Sequence, residues 1–422
     1  MPRVREPGPQ TRHVRIRRRR RRKRFQRFRR FRWRWLQRLY GRQLQRLSLT
    51  VREPVWAEID LDALGHNVRQ AAKMAGPARV MAVVKANAYG HGSVQVARAA
   101  LANGAASLGV ARAGEGELLR AAGITAPILI FGLIAPGEAE KVLDLGLTPA
   151  VFDLEQAAAL AGLARKHPAG VHLKVDTGMG RLGFSPDRPE DILKAAGLPG
   201  LRLEGLFTHF ATADDPDLSY AEWQLERFLA TDRLLREAGF AGYTAHAANS
   251  AALINLPAAR LDMVRPGIML YGYHPAGSPA GNLRPVLSFK ALVAQVKAVP
   301  AGFRVGYGST HVTPASTLLA TLPVGYADGF SRKLSSLGQV LIHGRRAPVL
   351  GRVCMDMIMV DVGHIAGVRP GDEAVLYGEQ GDEAVWADEV AEKTGTISYE
   401  VLCAVGARVP RIYRDTLAPE ES

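Results

Sequence analysis

Hydrophobic runs and amphipathic stretches alternate from Arg79 to Gly272. The eight runs Val80–Val84, Ser107–Val110, Ile128–Phe131, Leu147–Val151, Val171–Val175, Leu203–Thr208, Thr244–Ala247 and Met263–Arg265 have strand length, and their apolar character suits strands buried on both faces. Between them, Ser93–Ala102, Glu115–Ala122, Glu138–Leu145, Leu154–Lys166 and Tyr220–Ala238 read as helices, many with glycine near the end as a stop signal. Eight β/α repeats in roughly 200 residues predict an α/β fold, a closed (β/α)8 TIM-like barrel at the lower end of its size. A doubly wound open sheet is the alternative, but no G-x-G-x-x-G follows a first strand.

After Pro285 the pattern changes to short strand-like runs separated by Gly, Pro and Asp: Val286–Val299, Ala315–Leu322, Gln339–His343, Val349–Val353, Met357–Val362 and Glu373–Tyr377. This predicts a mostly-β C-terminal domain in which only Ala387–Thr394 is a helix. The expected division is barrel over residues 51–285, β domain over 286–414 and a tail over 415–422, with the boundary at Leu283-Arg284-Pro285.

Charge adds a further segment. Residues 1–46 hold 20 of the 55 Lys+Arg and one of the 40 Asp+Glu, which leaves the other 376 residues at a net charge of −4. Arg17 to Arg22 are unbroken, and Phe25, Phe28, Phe31, Trp33 and Trp35 are interleaved with arginines. Such an arm, assigned to residues 1–50, suits nucleic-acid phosphates or an anionic membrane surface; the plainer reading is a disordered extension from an upstream start. The charges are not followed by the apolar stretch of a secretory signal. The body reads as soluble and globular: hydrophobic content is 47% and no run of about 18 apolar residues occurs. Two cysteines, Cys354 and Cys403, are too few for a disulfide framework and favour a reducing, cytoplasmic location.

The polar residues at the strand ends carry the chemistry. Lys85 follows the first barrel run, at the end of a parallel α/β fold that faces the active site. Desolvation there favours a neutral amine, a nucleophile able to form an imine with a carbonyl cofactor; the competing reading is a lysine whose stem packs while its head reaches water. Strand five runs into Asp176-Thr177-Gly178-Met179-Gly180-Arg181, and strand six into His209, which alone more often marks a satisfied core histidine. Strand seven leads to Asn249-Ser250 and strand eight to Arg265-Pro266-Gly267-Ile268. Ser250 with the N–H groups of Gly267 and Ile268 suits a phosphate.

Val83-Val84-Lys85-Ala86-Asn87-Ala88-Tyr89-Gly90-His91-Gly92 resembles the pyridoxal-phosphate lysine segment of the alanine racemase family. The resemblance runs from about Trp56 to Arg414 through Thr177 to Arg181, Arg265 to Ile268, Arg304 to Thr310, Val324 to Gly329, Gly351 to Asp356 and Ile397 to Glu400. It departs mildly at Gly306, where many members have serine. It implies that Lys85 carries pyridoxal 5'-phosphate, that Tyr89 touches the phosphate, and that Asn249, Ser250, Gly267, Ile268 and Tyr399 also line the cofactor site. Arg265 would donate to the pyridine nitrogen and keep it unprotonated, since a guanidinium can only donate. His209 would bond Arg265 and the catalytic tyrosine. Arg181 would meet the cofactor's phenolic oxygen and the substrate carboxylate, and Lys174 matches a lysine carbamylated in many members. Tyr307 would be the second base; near neutrality a phenol in that role needs nearby positive charge or hydrogen-bond donation.

The resemblance also implies a head-to-tail homodimer with shared sites. In it Tyr307, the N–H of Met355 and Tyr326 reach the partner's barrel, Tyr326 and Tyr399 narrow the entrance, and Trp56–Leu61 joins the β domain. The expected reaction is two-base interconversion of L- and D-alanine by Lys85 and Tyr307 of the partner subunit, supplying D-alanine for peptidoglycan. Weak acceptance of serine is compatible with it, because one extra group in a pocket costs only ~1–3 kcal/mol. No metal is expected. The rivals are a barrel-type amino-acid decarboxylase, which would lack Tyr307 and Arg265, and a cofactor-carrying regulatory protein, which would not need the β domain.

Overall fold

The structure, a computed structural model, describes residues 53–135, 137–164, 167–275 and 282–415. The Arg-rich arm and, apart from Asp415, the tail lie outside the described residues.

The described chain opens with β1 (Val55–Asp60), then α1 (Leu61–Ala75). Leu61, expected in the strand, starts the helix because Asp60 is its N-cap: Oδ1 accepts the N–H of Ala63 at 2.8 Å. One face of α1 buries Ala63, Leu64, Val68, Ala71 and Ala75. Asn67 on that face is also buried, and its side chain bonds the carbonyls of Leu270 and Arg284 and the N–H of Arg284, which fastens the end of the barrel.

Eight parallel strands follow: β2 (Arg79–Val83), β3 (Ser107–Val110), β4 (Ile128–Ile130), β5 (Thr148–Val151), β6 (Ala169–Lys174), β7 (Leu201–Phe207), β8 (Thr244–His246) and β9 (Met263–Val264). Their order is β8-β7-β6-β5-β4-β3-β2-β9. Between β8 and β9 the ring is joined by the N–H groups of Asp262 and Arg265 on the carbonyls of Ala245 and Ala248, at 3.1 and 2.8 Å. The connecting helices are α2 (Ser93–Ala102), α3 (Ala113–Ala121), α4 (Ala139–Asp144), α5 (Leu154–Leu163), α6 (Pro189–Ala196), α7 (Ser219–Glu237) and α8 (Ser250–Asn255). Met81, Leu129, Ala150, Phe207 and Met263 form a small apolar cluster of their own, separate from the main core against which the helices pack. Every barrel strand lies within three residues of its expected ends.

The C-terminal part is mostly β. Its largest sheet has the path β16 (Arg345–Pro348), β15 (Gln339–Ile342), β18 (Glu373–Gln380), β10 (Leu287–Leu292), β1 and β20 (Arg411–Arg414), with β19 (Glu383–Val385) beside β18. β1 pairs antiparallel with β10 and parallel with β20, so the first strand of the described chain completes this sheet. A second sheet comprises β11 (Gln295–Val299), β14 (Thr317–Leu322) and β17 (Ile358–Asp361), and a hairpin joins β12 (Arg304–Val305) to β13 (His311–Val312).

Three expectations are corrected here. Val286–Val299 is two strands in different sheets, broken where Val293 and Ala294 cross over. Val349–Val353 is no strand apart from one bridge of Val349 to Val360, and Arg345–Pro348 pairs instead as an edge strand, with Arg345 exposed and Arg346 bonded to Glu383 and Glu389. Besides α9 (Ala387–Thr394) there is a second helix, α10 (Ser398–Cys403), too short for its apolar spacing to show a period.

Candidate active site

The C-terminal strand ends surround a cavity of about 310 Å³ lined by Val83, Lys85, Ala86, Tyr89, Phe131, Lys174, Arg181, Phe207, His209, Asn249, Ser250, Arg265, Gly267, Ile268, Tyr399 and Cys403. Thus the barrel residues expected at the site, together with Tyr399, share one cavity. Tyr307 and Met355 do not line it; they border a separate depression in the β domain with Arg304, Gly306, Met357 and Met359. Tyr326 lies by a third hollow, beside Lys333 and Glu400.

Lys85 leaves β2 through a backbone form that the sequence did not announce. Ala86, Asn87, Ala88 and Tyr89 all have φ of 53°, one turn of left-handed helix built without glycine. Each such residue costs roughly 1–2 kcal/mol, so the turn persists only because many bonds hold it. The N–H of Ala88 reaches Val84 O at 2.9 Å and that of Gly90 reaches Ala86 O at 3.1 Å. Asn87 Oδ1 accepts from Ser93, and buried His91 Nδ1–H bridges Ala88 O and Tyr89 O. Glu115 Oε1 accepts the N–H of Ala86 at 2.7 Å.

The electrostatics are one-sided. Burial lowers the pKa of Lys85, with Arg181 and Arg265 adding to the effect and Glu115 and Cys403 opposing it. Lys174, 4% exposed, falls to about 8, mainly by burial and then through Arg181 and Arg265. Among the described residues none of Lys85, Lys174, Arg181 or Arg265 is in an ion pair with a carboxylate. Asp176, which opens the loop to Arg181, instead accepts the N–H groups of Gly178, Gly180 and Arg181; they outweigh the upward push of burial on its carboxyl.

Arg265 is buried among neutral acceptors: Nη2 donates to Thr208 O at 2.7 Å, Ala247 O at 2.9 Å and, more weakly, His209 Nδ1 at 3.4 Å. Nη1 donates to His246 Nδ1 at 2.9 Å, and His246 Nε2 lies 2.8 Å from His172 Nδ1. A guanidinium accepts nothing, so His246 carries its proton on Nε2 and passes a hydrogen bond to His172. Burial and then the charge of Arg265 keep both histidines neutral: His246 titrates well below its ordinary range and His172 at about 3. His209 is held neutral by the same two causes. Burial alone brings Arg265 to about 9. His246 and His172 escaped the sequence reading, although a histidine inside a buried run such as Thr244–Ala247 is a visible signal.

At the other side of the cavity Ser250 Oγ accepts the N–H of Gly267 at 2.8 Å, which leaves its own hydroxyl proton to donate. A Cβ at Gly267 would come within 2.5 Å of the Tyr89 hydroxyl, so only glycine keeps this corner open. Ile268 begins a short 3-10 turn, and its N–H has no acceptor within that turn. Asn249 Oδ1 caps α8 through Ala252 N at 2.9 Å, so any contact it makes in the cavity comes from its amide nitrogen.

A closed barrel that carries a β domain, with a desolvated lysine at one strand end and cations around it, is an arrangement shared with the barrel-type amino-acid racemases, a class of isomerases. The chain belongs to the alanine racemase family: the family's N-terminal domain model matches residues 59–275 and its C-terminal domain model residues 286–413. The alanine racemase of Desulforamulus reducens is 50% identical over 371 residues, 86% of this chain and 100% of that one. Among solved structures, alanine racemase from Streptomyces lavendulae superposes with a TM-score of 0.83 at 38% identity, covering 87% of this chain and 98% of its own. That from Streptomyces coelicolor gives 0.82 at 41% identity, covering 86% and 98%.

Membership implies pyridoxal phosphate, and the donor set fits it. The hydroxyls of Ser250 and Tyr89 and the N–H of Ile268 suit a phosphate, the guanidinium groups of Arg181 and Arg265 suit an anionic ring and carboxylate, and Lys85 suits the aldehyde.

Proposed function

We propose that this chain interconverts L- and D-alanine with pyridoxal phosphate attached at Lys85, and that a second copy, packed head to tail, supplies Tyr307 as the opposing base. The observation that carries the reading is the gathering of Lys85, Tyr89, Ser250, Arg265, His209 and Arg181 in one cavity at the strand ends. When bound, pyridoxal phosphate withdraws electrons from the substrate and makes its α-C–H acidic. The chain's own residues do the rest. Lys85 Nζ, desolvated, takes or returns the α-proton on one face of the substrate; Arg181 orients the carboxylate; Arg265 donates toward the pyridine nitrogen and withholds a proton from it.

Inversion needs a base on the other face, and the cavity's own tyrosines are poor candidates. Burial is the main cause raising the phenols of Tyr89 and Tyr399, which therefore hold their protons. Tyr307 is 72% exposed beside Met355 and Met357, at 53% and 51%, an apolar face suited to a second barrel mouth. Met355 N–H would then meet the substrate carboxylate and Tyr326 would narrow the entrance. The low pKa of Lys174 suits carbamylation, in which the neutral amine bonds carbon dioxide and releases a proton, placing an anion beside Arg181. The reducing environment suggested by two free cysteines fits supply of D-alanine to peptidoglycan from the cytoplasm. No helix among the described residues is long and apolar enough to cross a membrane.

The direct test is incubation of purified protein with L-alanine and pyridoxal phosphate, following D-alanine by a chiral assay. Equal amounts of both enantiomers at equilibrium support the reading; carbon dioxide release without D-alanine would replace it with a decarboxylase.

A further inference from the structure

Glu115 stands outside the cavity, yet its carboxylate joins two barrel strand ends. Oε1 accepts the N–H of Ala86, the first residue of the left-handed turn, at 2.7 Å. Oε2 accepts the N–H groups of Ala111 at 2.7 Å and Arg112 at 3.1 Å, just beyond β3 and ahead of α3. Val84 N–H already bonds Gly109 O, and Tyr271 OH holds Val83 O, so the backbone on the strand side of Lys85 is fixed by β3 and the core. On the far side the first restraint is Glu115. The turn it holds places Lys85 and Tyr89 four residues apart on one side of a helical turn.

We propose that Glu115 is a positioning residue for Lys85: its carboxylate pins the left-handed turn that follows the lysine to the end of β3. The proposal rests on the reading of Lys85 as the cofactor-bearing lysine. Two consequences separate it from an ordinary helix cap. First, Glu115 raises the pKa of Lys85 against burial and the neighbouring arginines, so loss of its charge lets the amine become neutral at lower pH. Second, glutamine has the same length but sets an N–H₂ group against one side of the bridge, where the protein offers only donors.

The test compares wild type, Glu115→Gln and Asp153→Ala after removal of pyridoxal phosphate. Asp153 caps α5 through Gln156 N at 2.7 Å, does not line the cavity, and serves as a control for loss of a cap. Each protein is titrated with pyridoxal phosphate across pH, and the rate of attachment is followed by visible absorption and by borohydride trapping; melting temperatures are recorded in parallel. In Glu115→Gln the rate on the alkaline plateau should fall about tenfold or more, and its pH midpoint should move down. Asp153→Ala should melt lower with both quantities unchanged. A wild-type midpoint and plateau in Glu115→Gln would overturn the proposal. Trapping of a lysine other than Lys85 in wild type would instead overturn the reading on which it rests. Should Glu115→Gln not fold, hydrogen exchange on wild type decides: the Ala86 amide should be protected like a strand amide, and rapid exchange there would overturn the proposal.

Discussion

The barrel mouth and the Tyr307 face of the β domain, the two halves of the proposed site, are prepared in opposite ways. At the barrel mouth Arg265 is 4% exposed, bonded to four acceptors and backed by two neutral histidines. In the β domain Tyr307 sits on a short 3-10 turn, 72% exposed, and its surroundings of Met355 and Met357 are exposed too. The first half is organised by its own chain. The second leaves its proposed base exposed among the described residues. On the proposed reading, the chain gathers its cofactor residues by itself and leaves the second base to be delivered by assembly.

Substitutions at the two bases give the largest expected effects and separate the halves. Lys85→Ala should abolish both racemisation and borohydride trapping of the cofactor. Tyr307→Phe should lose ~10²–10⁴-fold in turnover, the range for a general base, while keeping cofactor affinity and trapping at wild-type values. Loss of cofactor from Tyr307→Phe would show that the barrel half is not self-sufficient.

Arg265→Lys tests how the barrel half is held. An ammonium cannot serve the fork of acceptors at Thr208, Ala247, His246 and His209, so stability in denaturant should fall by roughly 3 kcal/mol. An unchanged unfolding midpoint would mean the fork is not needed.

The histidine chain gives a smaller, pH-dependent effect. His172 takes up protons near the ordinary imidazole value of about 6.5 when unfolded but only at about 3 when folded. A group whose folded pKa is lowered favours unfolding wherever only the unfolded state binds the proton. Its contribution is therefore complete above pH ~6.5 and is lost as pH falls below that, by ~1.4 kcal/mol per unit at most. His172→Gln, which can still accept from His246, should flatten the slope of stability between pH 5 and 6.5; an unchanged slope would place the titration elsewhere. The smallest effect is expected from deleting residues 1–46: every site residue lies beyond them, so turnover should stay at the wild-type value.

The same two regions differ in how much the sequence revealed. The barrel strands were legible because burial on both faces demands unbroken apolar runs, and the site could be followed from the polar residues that end them. The left-handed turn was hidden, since Ala86 to Tyr89 contain no glycine and local preference opposes that form; its bonds come from residues as distant as Glu115. His246 and His172 were hidden because a polar residue within an apolar run does not name its partner. In the β domain, Arg345–Pro348 pairs despite two arginines, as an edge strand can, and Ser398–Cys403 is too short to show a helical period. Tyr307 stood out only through resemblance, because its chemistry depends on what covers it and no local pattern encodes that.

Subunit mixing tests the central claim, that the barrel of one copy and the β domain of another form each site. Lys85→Ala and Tyr307→Ala proteins should each be nearly inactive. A mixed dimer would place both lesions in one site and leave the other with an intact Lys85 and an intact Tyr307. Mixing under conditions of demonstrated subunit exchange should restore activity toward about half the wild-type value per mixed dimer, as expected for independent sites. Exchange without any recovery would contradict the account and put both bases in a single chain.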